Sequence, residues 1–119
     1  MKIVSTVLLA LALGFSAHAK KSGVKTVLQE HKRDVMACFR HALKEDPNVN
    51  LAGKIVLDWI VNDAGEVVEA TVNTRKSRLR NEGVETCLLD KLRTWKFPGS
   101  KKGKATSVSY PFTFDKKEN

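Results

Sequence analysis

Val84, Cys87, Leu88, Lys91, Leu92 and Trp95 recur at three- and four-residue intervals, the spacing that places side chains on one face of an α-helix. The pattern predicts a helix over 82–96. Asn81 stands upstream as an N-cap candidate, with Glu82 and Glu85 in the first turn and Lys91, Arg93 and Lys96 in the last, the charge order a helix dipole favours. Pro98-Gly99 stops it. An earlier stripe, Val24, Val27, Leu28, His31, Val35, Cys38, Phe39, Ala42 and Leu43, predicts an amphipathic helix from about 24 to 45, broken by Asp46-Pro47-Asn48. His31 lies at the edge of this stripe and is read as a packed or half-exposed residue, since no second histidine stands at i+4 and no acidic partner is obvious.

From Gly53 the period changes to two. Ile55, Leu57, Trp59 and Val61 point one way and Val56, Asp58 and Ile60 the other, the mark of a strand with one strongly apolar face. Asn62-Asp63-Ala64-Gly65 is turn chemistry, and 67–74 supplies a β-branched return strand, so 54–74 reads as a β-hairpin. Arg75 to Arg80 reads as a basic, solvated connection. Alternation resumes at Thr106 with Val108, Tyr110, Phe112 and Phe114. Pro111 cannot donate a ladder hydrogen bond and argues that this last strand lies at a sheet edge. The economical architecture is α+β: a three-stranded antiparallel sheet with two helices packed on one face, the hairpin's apolar side meeting Cys87, Leu88, Leu92 and Trp95.

The chain has 119 residues and opens with Lys2, an apolar run to Phe15 and Ala17-His18-Ala19. That order is expected to be a cleavable signal peptide over 1–19, leaving 20–119 as a single domain. The run of about 13 apolar residues is short of the roughly 20 a spanning helix needs. A soluble periplasmic or secreted protein, without a transmembrane segment after cleavage, is the expectation. The only cysteines, Cys38 and Cys87, would in an oxidising compartment most simply pair with each other. The alternative takes Cys38, His41 and Cys87 as zinc ligands, but a fourth ligand and the usual short spacings are not visible.

The formal charge is +8 from 21 basic and 13 acidic residues, or +7 once Lys2 is subtracted. Arg75, Lys76, Arg78 and Arg80 with Lys101, Lys102 and Lys104 form a candidate basic patch, which would draw the protein to anionic surfaces. Base-stacking aromatics are not interleaved with these charges, so no specific nucleic acid is expected. Gly99 to Lys104 departs from a phosphate-binding loop in glycine spacing, in Ala105 and in following a helix. No catalytic residue and no cofactor is assigned: nothing resembles G-x-S-x-G, H-E-x-x-H or Cys-x-x-Cys, and Asp58 and Asp63 read as a solvent-facing residue and a turn former.

Four motifs together resemble a known family: C-F-x-x-x-L at Cys38 to Leu43, G-x-I-V-L-x-W-x-V-x-x-x-G-x-V from Gly53 to Val67, C-L-x-x-x-L-x-x-W-x-F-P from Cys87 to Pro98, and Y-P-F-x-F from Tyr110 to Phe114. They are similar to the C-terminal domain of AgmX/PglI-type proteins, relatives of the TonB C-terminal domain, over roughly 35–114. The resemblance implies a TonB-like fold and a role in protein contacts within the cell envelope. TonB domains add an extended peptide as a strand to the edge of their last strand. Carried over here, that edge is Ala105 to Phe114, and Pro111 favours its first half, Thr106, Ser107, Val108, Ser109 and Tyr110. A TonB-type transducer also has a membrane helix and a long linker, which this chain is expected to lack. The resulting expectation is a non-catalytic periplasmic module that captures an envelope protein or peptide by strand addition, with homodimerisation through the same edge as a further possibility. The alternative is a secreted basic protein that binds anionic polymers or membrane surfaces.

Overall fold

A computed structural model describes residues 23–115; the predicted signal peptide and the last four residues lie outside them. Residues 23–30 are helical, and after a turn at His31 the chain continues as α1 (Lys32–Glu45). Then come β1 (Gly53–Val61), β2 (Val67–Val72), α2 (Glu82–Leu92) and β3 (Thr106–Phe114). The sheet is antiparallel with order β2-β1-β3. Among the described residues no helix is long and apolar enough to cross a membrane.

Ile55, Leu57, Trp59 and Val61 are buried on one face of β1 and share one core with Cys38 and Phe39 of α1, Val84, Leu88 and Leu92 of α2, and Phe112 and Phe114 of β3. Both helices therefore cover the same side of the sheet. Cys38 and Cys87 form a disulfide between them, with Cα atoms 5.7 Å apart. With both thiols oxidised, the zinc alternative falls away. The Trp59 and Trp95 indole N–H groups are buried without an acceptor among the described residues. Each costs about 1–3 kcal/mol, less than the roughly 4–6 kcal/mol from burying 150–250 Å² of ring at 25 cal/mol/Å².

Three boundaries differ from the periodicity. The first helix bends at His31, whose φ of −103° and ψ of 18° leave the helical region. The bend lets its ring lie flat on Trp95, with centroids 4.6 Å apart and planes 9° from parallel, while Nδ1 meets Asp34 Oδ2 at 3.2 Å. His31 is thus half-buried, with an acidic partner at i+3. The second helix ends at Leu92 instead of Lys96, because Trp95 and Phe97 are both buried. Two residues apart, they would face opposite sides of a helix, and only extended backbone turns both inward. The return strand ends at Val72, after which Asn73 opens a turn.

The 73–80 segment is more than a solvated connection. Ser77 and Leu79 are buried, the Ser77 hydroxyl accepts from the Val56 N–H at 2.8 Å, and the Arg78 and Leu79 N–H groups both donate to the Lys54 carbonyl at 2.9 Å. The loop replaces β2 along the first residues of β1, satisfying backbone groups that burial would otherwise leave unpaired.

Gly65 fixes the other end of the hairpin. Its φ is +89°, and a Cβ there would collide with the Phe97 carbonyl oxygen. Its own carbonyl accepts from the Phe97 N–H at 2.8 Å, and Glu66 pairs with Lys96 in an isolated bridge. The segment after α2 therefore lies against the hairpin turn, where the Phe97 ring reaches Trp59 at 5.8 Å.

Candidate strand-binding edge

β1 is the central strand, so among the described residues β2 and β3 each have one side without a strand neighbour. Val56 accepts from the Asn73 N–H at 2.8 Å and donates to Ser77, so its backbone groups face the β2 side. Alternation along an antiparallel ladder then turns the groups of Ile55, Leu57, Trp59 and Val61 toward β3, opposite Phe112, Tyr110, Val108 and Thr106. The backbone groups of Ser107, Ser109, Pro111 and Thr113 consequently face away from the sheet. Pro111 occupies a position where its missing N–H breaks no bond to β1, which explains how a proline fits inside this strand.

The β2 edge is blunter. Its register slips opposite Ile60/Val61, making Val68 an exposed bulge residue, and the 95–97 segment crosses beside Gly65 and Glu66. Bulges and covering loops protect a sheet edge against further pairing. β3 has a different neighbour. A groove of about 340 Å³ runs between its second half and the first helices, lined by Leu28, Lys32, Val35, Met36, Tyr110 and Phe112 among others. Val108 and Tyr110 lie on the core face yet are only half-buried. Tyr110 leans edge-on against Phe112, 5.2 Å between centroids. The apolar core is thus open along the same edge that carries outward-facing backbone.

Of the predicted edge residues, Thr106, Ser107 and Ser109 are exposed, and Val108 and Tyr110 form the half-covered floor. Ser109 also donates its hydroxyl to Asp58 Oδ1 at 2.7 Å, while the Asn73 amide donates to Asp58 Oδ2 at 3.0 Å. Asp58 is therefore a half-buried clasp joining β1 to β3 and to the turn after β2 rather than a plain solvent-facing residue. Asp63 does more than form a turn: its carboxylate accepts from the Gly103 N–H at 2.7 Å and its carbonyl from the Ser100 N–H at 3.2 Å.

The candidate basic patch is divided. Arg78 is tied to Lys54 near the start of β1, whereas Lys101, Lys102 and Lys104 belong to the loop held by Asp63 beyond its end. Nine residues of strand separate these ends, roughly 25 Å at 3.3 Å per residue. Arg78 and Arg80 thus lie toward the end of the sheet away from the three lysines, while Lys76 reaches the outer face beside Asp58 and Ser107 to Ser109. Arg80 is also engaged, its Nε 2.8 Å and Nη2 3.3 Å from the buried Glu85 carboxylate. Hydrogen bonding and then the charge of Glu85 raise the guanidinium above its ordinary range. Glu85 also accepts from the Asn81 N–H at 3.0 Å, and the Asn81 side chain caps Val84 at 2.9 Å. The pair serves the start of α2.

Of the groove residues, Leu28 and Val35 belong to the apolar stripe of the first helix while Lys32 and Met36 lie outside it, so the sequence pattern does not group the four. The one available signal was the alternation that put Val108 and Tyr110 on an inward face beside an edge. No family model, curated protein or solved structure matches the chain.

Proposed function

We propose that this chain is a non-catalytic protein-binding module of the cell envelope, periplasmic or secreted, that captures an extended peptide or partner strand along β3. One observation carries the reading: outward-facing backbone at Ser107 and Ser109 coincides with half-exposed Val108 and Tyr110 beside an apolar groove. An added strand gains main-chain hydrogen bonds from the first feature and side-chain burial from the second. The signal-like N-terminus and the disulfide support an oxidising, exported setting. The resemblance to the AgmX/PglI and TonB-type domains supports strand addition as the mode. The distance between Arg78 and the three lysines weakens the alternative of one broad anion-binding surface.

The test is a photo-crosslinking residue at Ser107 in cells, with exposed Glu30 as the control position. Discrete products with one or two envelope proteins at Ser107 alone are expected. Equal labelling from both positions, or none from either, would remove the proposal.

A further inference from the structure

We infer that the strand taken up along β3 comes from an acidic segment of a partner protein, one that alternates apolar residues with polar ones and carries carboxylates toward its ends. The inference rests on the strand-capture reading and adds the chemistry of the occupant. Residues 101–114 contain Lys101, Lys102 and Lys104 and no acidic residue. At the other end of the edge, Lys32 lines the groove beside Tyr110 to Thr113, and no carboxylate lines that groove. Asp58, one strand inward, is already occupied by Ser109 and Asn73. Lysines therefore stand near both ends of the edge and outnumber the carboxylates there, Lys101, Lys102 and Lys104 beside Asp63 and Lys32 near Asp115, while the charges nearest the centre, Asp58, Glu69 and Lys76, belong to β1, β2 and the loop after it.

A second copy would satisfy these lysines less well: antiparallel pairing of two β3 strands about Ser109 sets Lys101, Lys102 and Lys104 of one copy toward Lys32 of the other, with Asp115 the one carboxylate that the facing strand brings near them. A strand with acidic ends meets the opposite situation. Its inward-facing residues would lie over Val108 and Tyr110 against Leu28, Val35 and Met36, and its outward-facing residues beside Ser107 and Ser109. Apolar residues suit the first set and small polar ones the second.

Three synthetic peptides test this by fluorescence anisotropy on the oxidised protein: a Val-Ser-Val-Thr-Val centre flanked on both sides by two Glu, two Gln or two Lys. The Glu peptide is expected to bind about tenfold more tightly than the Gln peptide, the yield of a few exposed ion pairs. That advantage should shrink with added salt. A Lys32→Glu, Lys104→Glu double variant should invert the order so that the Lys peptide binds best. N-methylation of alternate residues in the Glu peptide, and Ser107→Pro in the protein, should each reduce binding about tenfold or more. Equal affinity for the Glu and Gln peptides, both lost on N-methylation, overturns the acidic preference while strand capture stands. Tight Glu binding indifferent to N-methylation and to Ser107→Pro overturns both, since charge alone would then hold the peptide. Absence of binding by all three at millimolar concentration overturns both as well, and a stable dimer whose interface is β3 overturns the inference about the occupant.

Discussion

Proline placed at two adjacent positions of β3 distinguishes the bonded side of the strand from the free one. Val108 lies opposite Trp59 on the side where backbone groups bond to β1, and Trp59 is 2% exposed. Val108→Pro removes the N–H in that pair and leaves the Trp59 carbonyl buried and unpaired, a loss of about 1–3 kcal/mol. The ring also replaces a β-branched side chain packed on the core, so a total of about 2–4 kcal/mol is expected. Ser107→Pro removes an N–H that faces outward, and Ser107 makes no side-chain hydrogen bond within the described residues. Its effect is expected within about 1 kcal/mol, because reduced freedom of the unfolded chain offsets local strain. For a domain whose whole stability is roughly 5–15 kcal/mol the contrast is large. Urea unfolding followed by tryptophan fluorescence reads it directly: with a slope of about 1.5 kcal/mol/M, Val108→Pro should move the midpoint down by about 2 M and Ser107→Pro by less than about 0.7 M. Equal losses, or a larger loss for Ser107→Pro, would refute the assignment of bonded and free sides and remove the basis of the proposed site.

Two further outcomes follow from other contacts. Replacing Cys38 and Cys87 together by alanine opens a cross-link spanning 49 residues and should lower stability by about 4 kcal/mol in the chain-entropy estimate. Calorimetry of the oxidised protein and the double variant checks this, and a loss under 1 kcal/mol would show that the helices hold together without the bond. Gly65→Ala should cost about 3 kcal/mol or more, since it combines a positive φ with a collision against Phe97; an unchanged urea midpoint would exclude that close approach.

The fold was legible where one face of an element is buried against another. Period two in β1 and β3 and the three- and four-residue spacing in α2 each report a one-sided environment, and the cysteines were few enough to pair by elimination. Long-range satisfaction of backbone groups leaves no comparable trace. Ser77 in a run of arginines looks like any loop serine, yet it holds the Val56 N–H. Likewise, basic residues grouped along the sequence at 75–80 and 101–104 look like one patch until the strands place Arg78 near the start of β1 and Lys101 to Lys104 beyond its end. The site was legible only in part, through Pro111 and the alternation around it. The groove depends on where the first helices settle against Tyr110 and Phe112, and pattern within one segment does not encode that placement.

The middle strand of the sheet is first in sequence and one of its flanking strands is last, which imposes an order of assembly. β1 pairs Gly53 with Phe114 and Val61 with Thr106, so that side of β1 lacks its own partner strand until residues 106–114 have emerged. Both cysteines and the whole hairpin come out earlier. During vectorial emergence the helix pair is available for oxidation while the core still lacks Phe112 and Phe114. An unfinished chain therefore exposes an acceptor side on β1 as well as apolar surface, and a foreign strand could enter there before β3 does. Arrival of β3 closes that internal acceptor and moves the open edge outward by one strand.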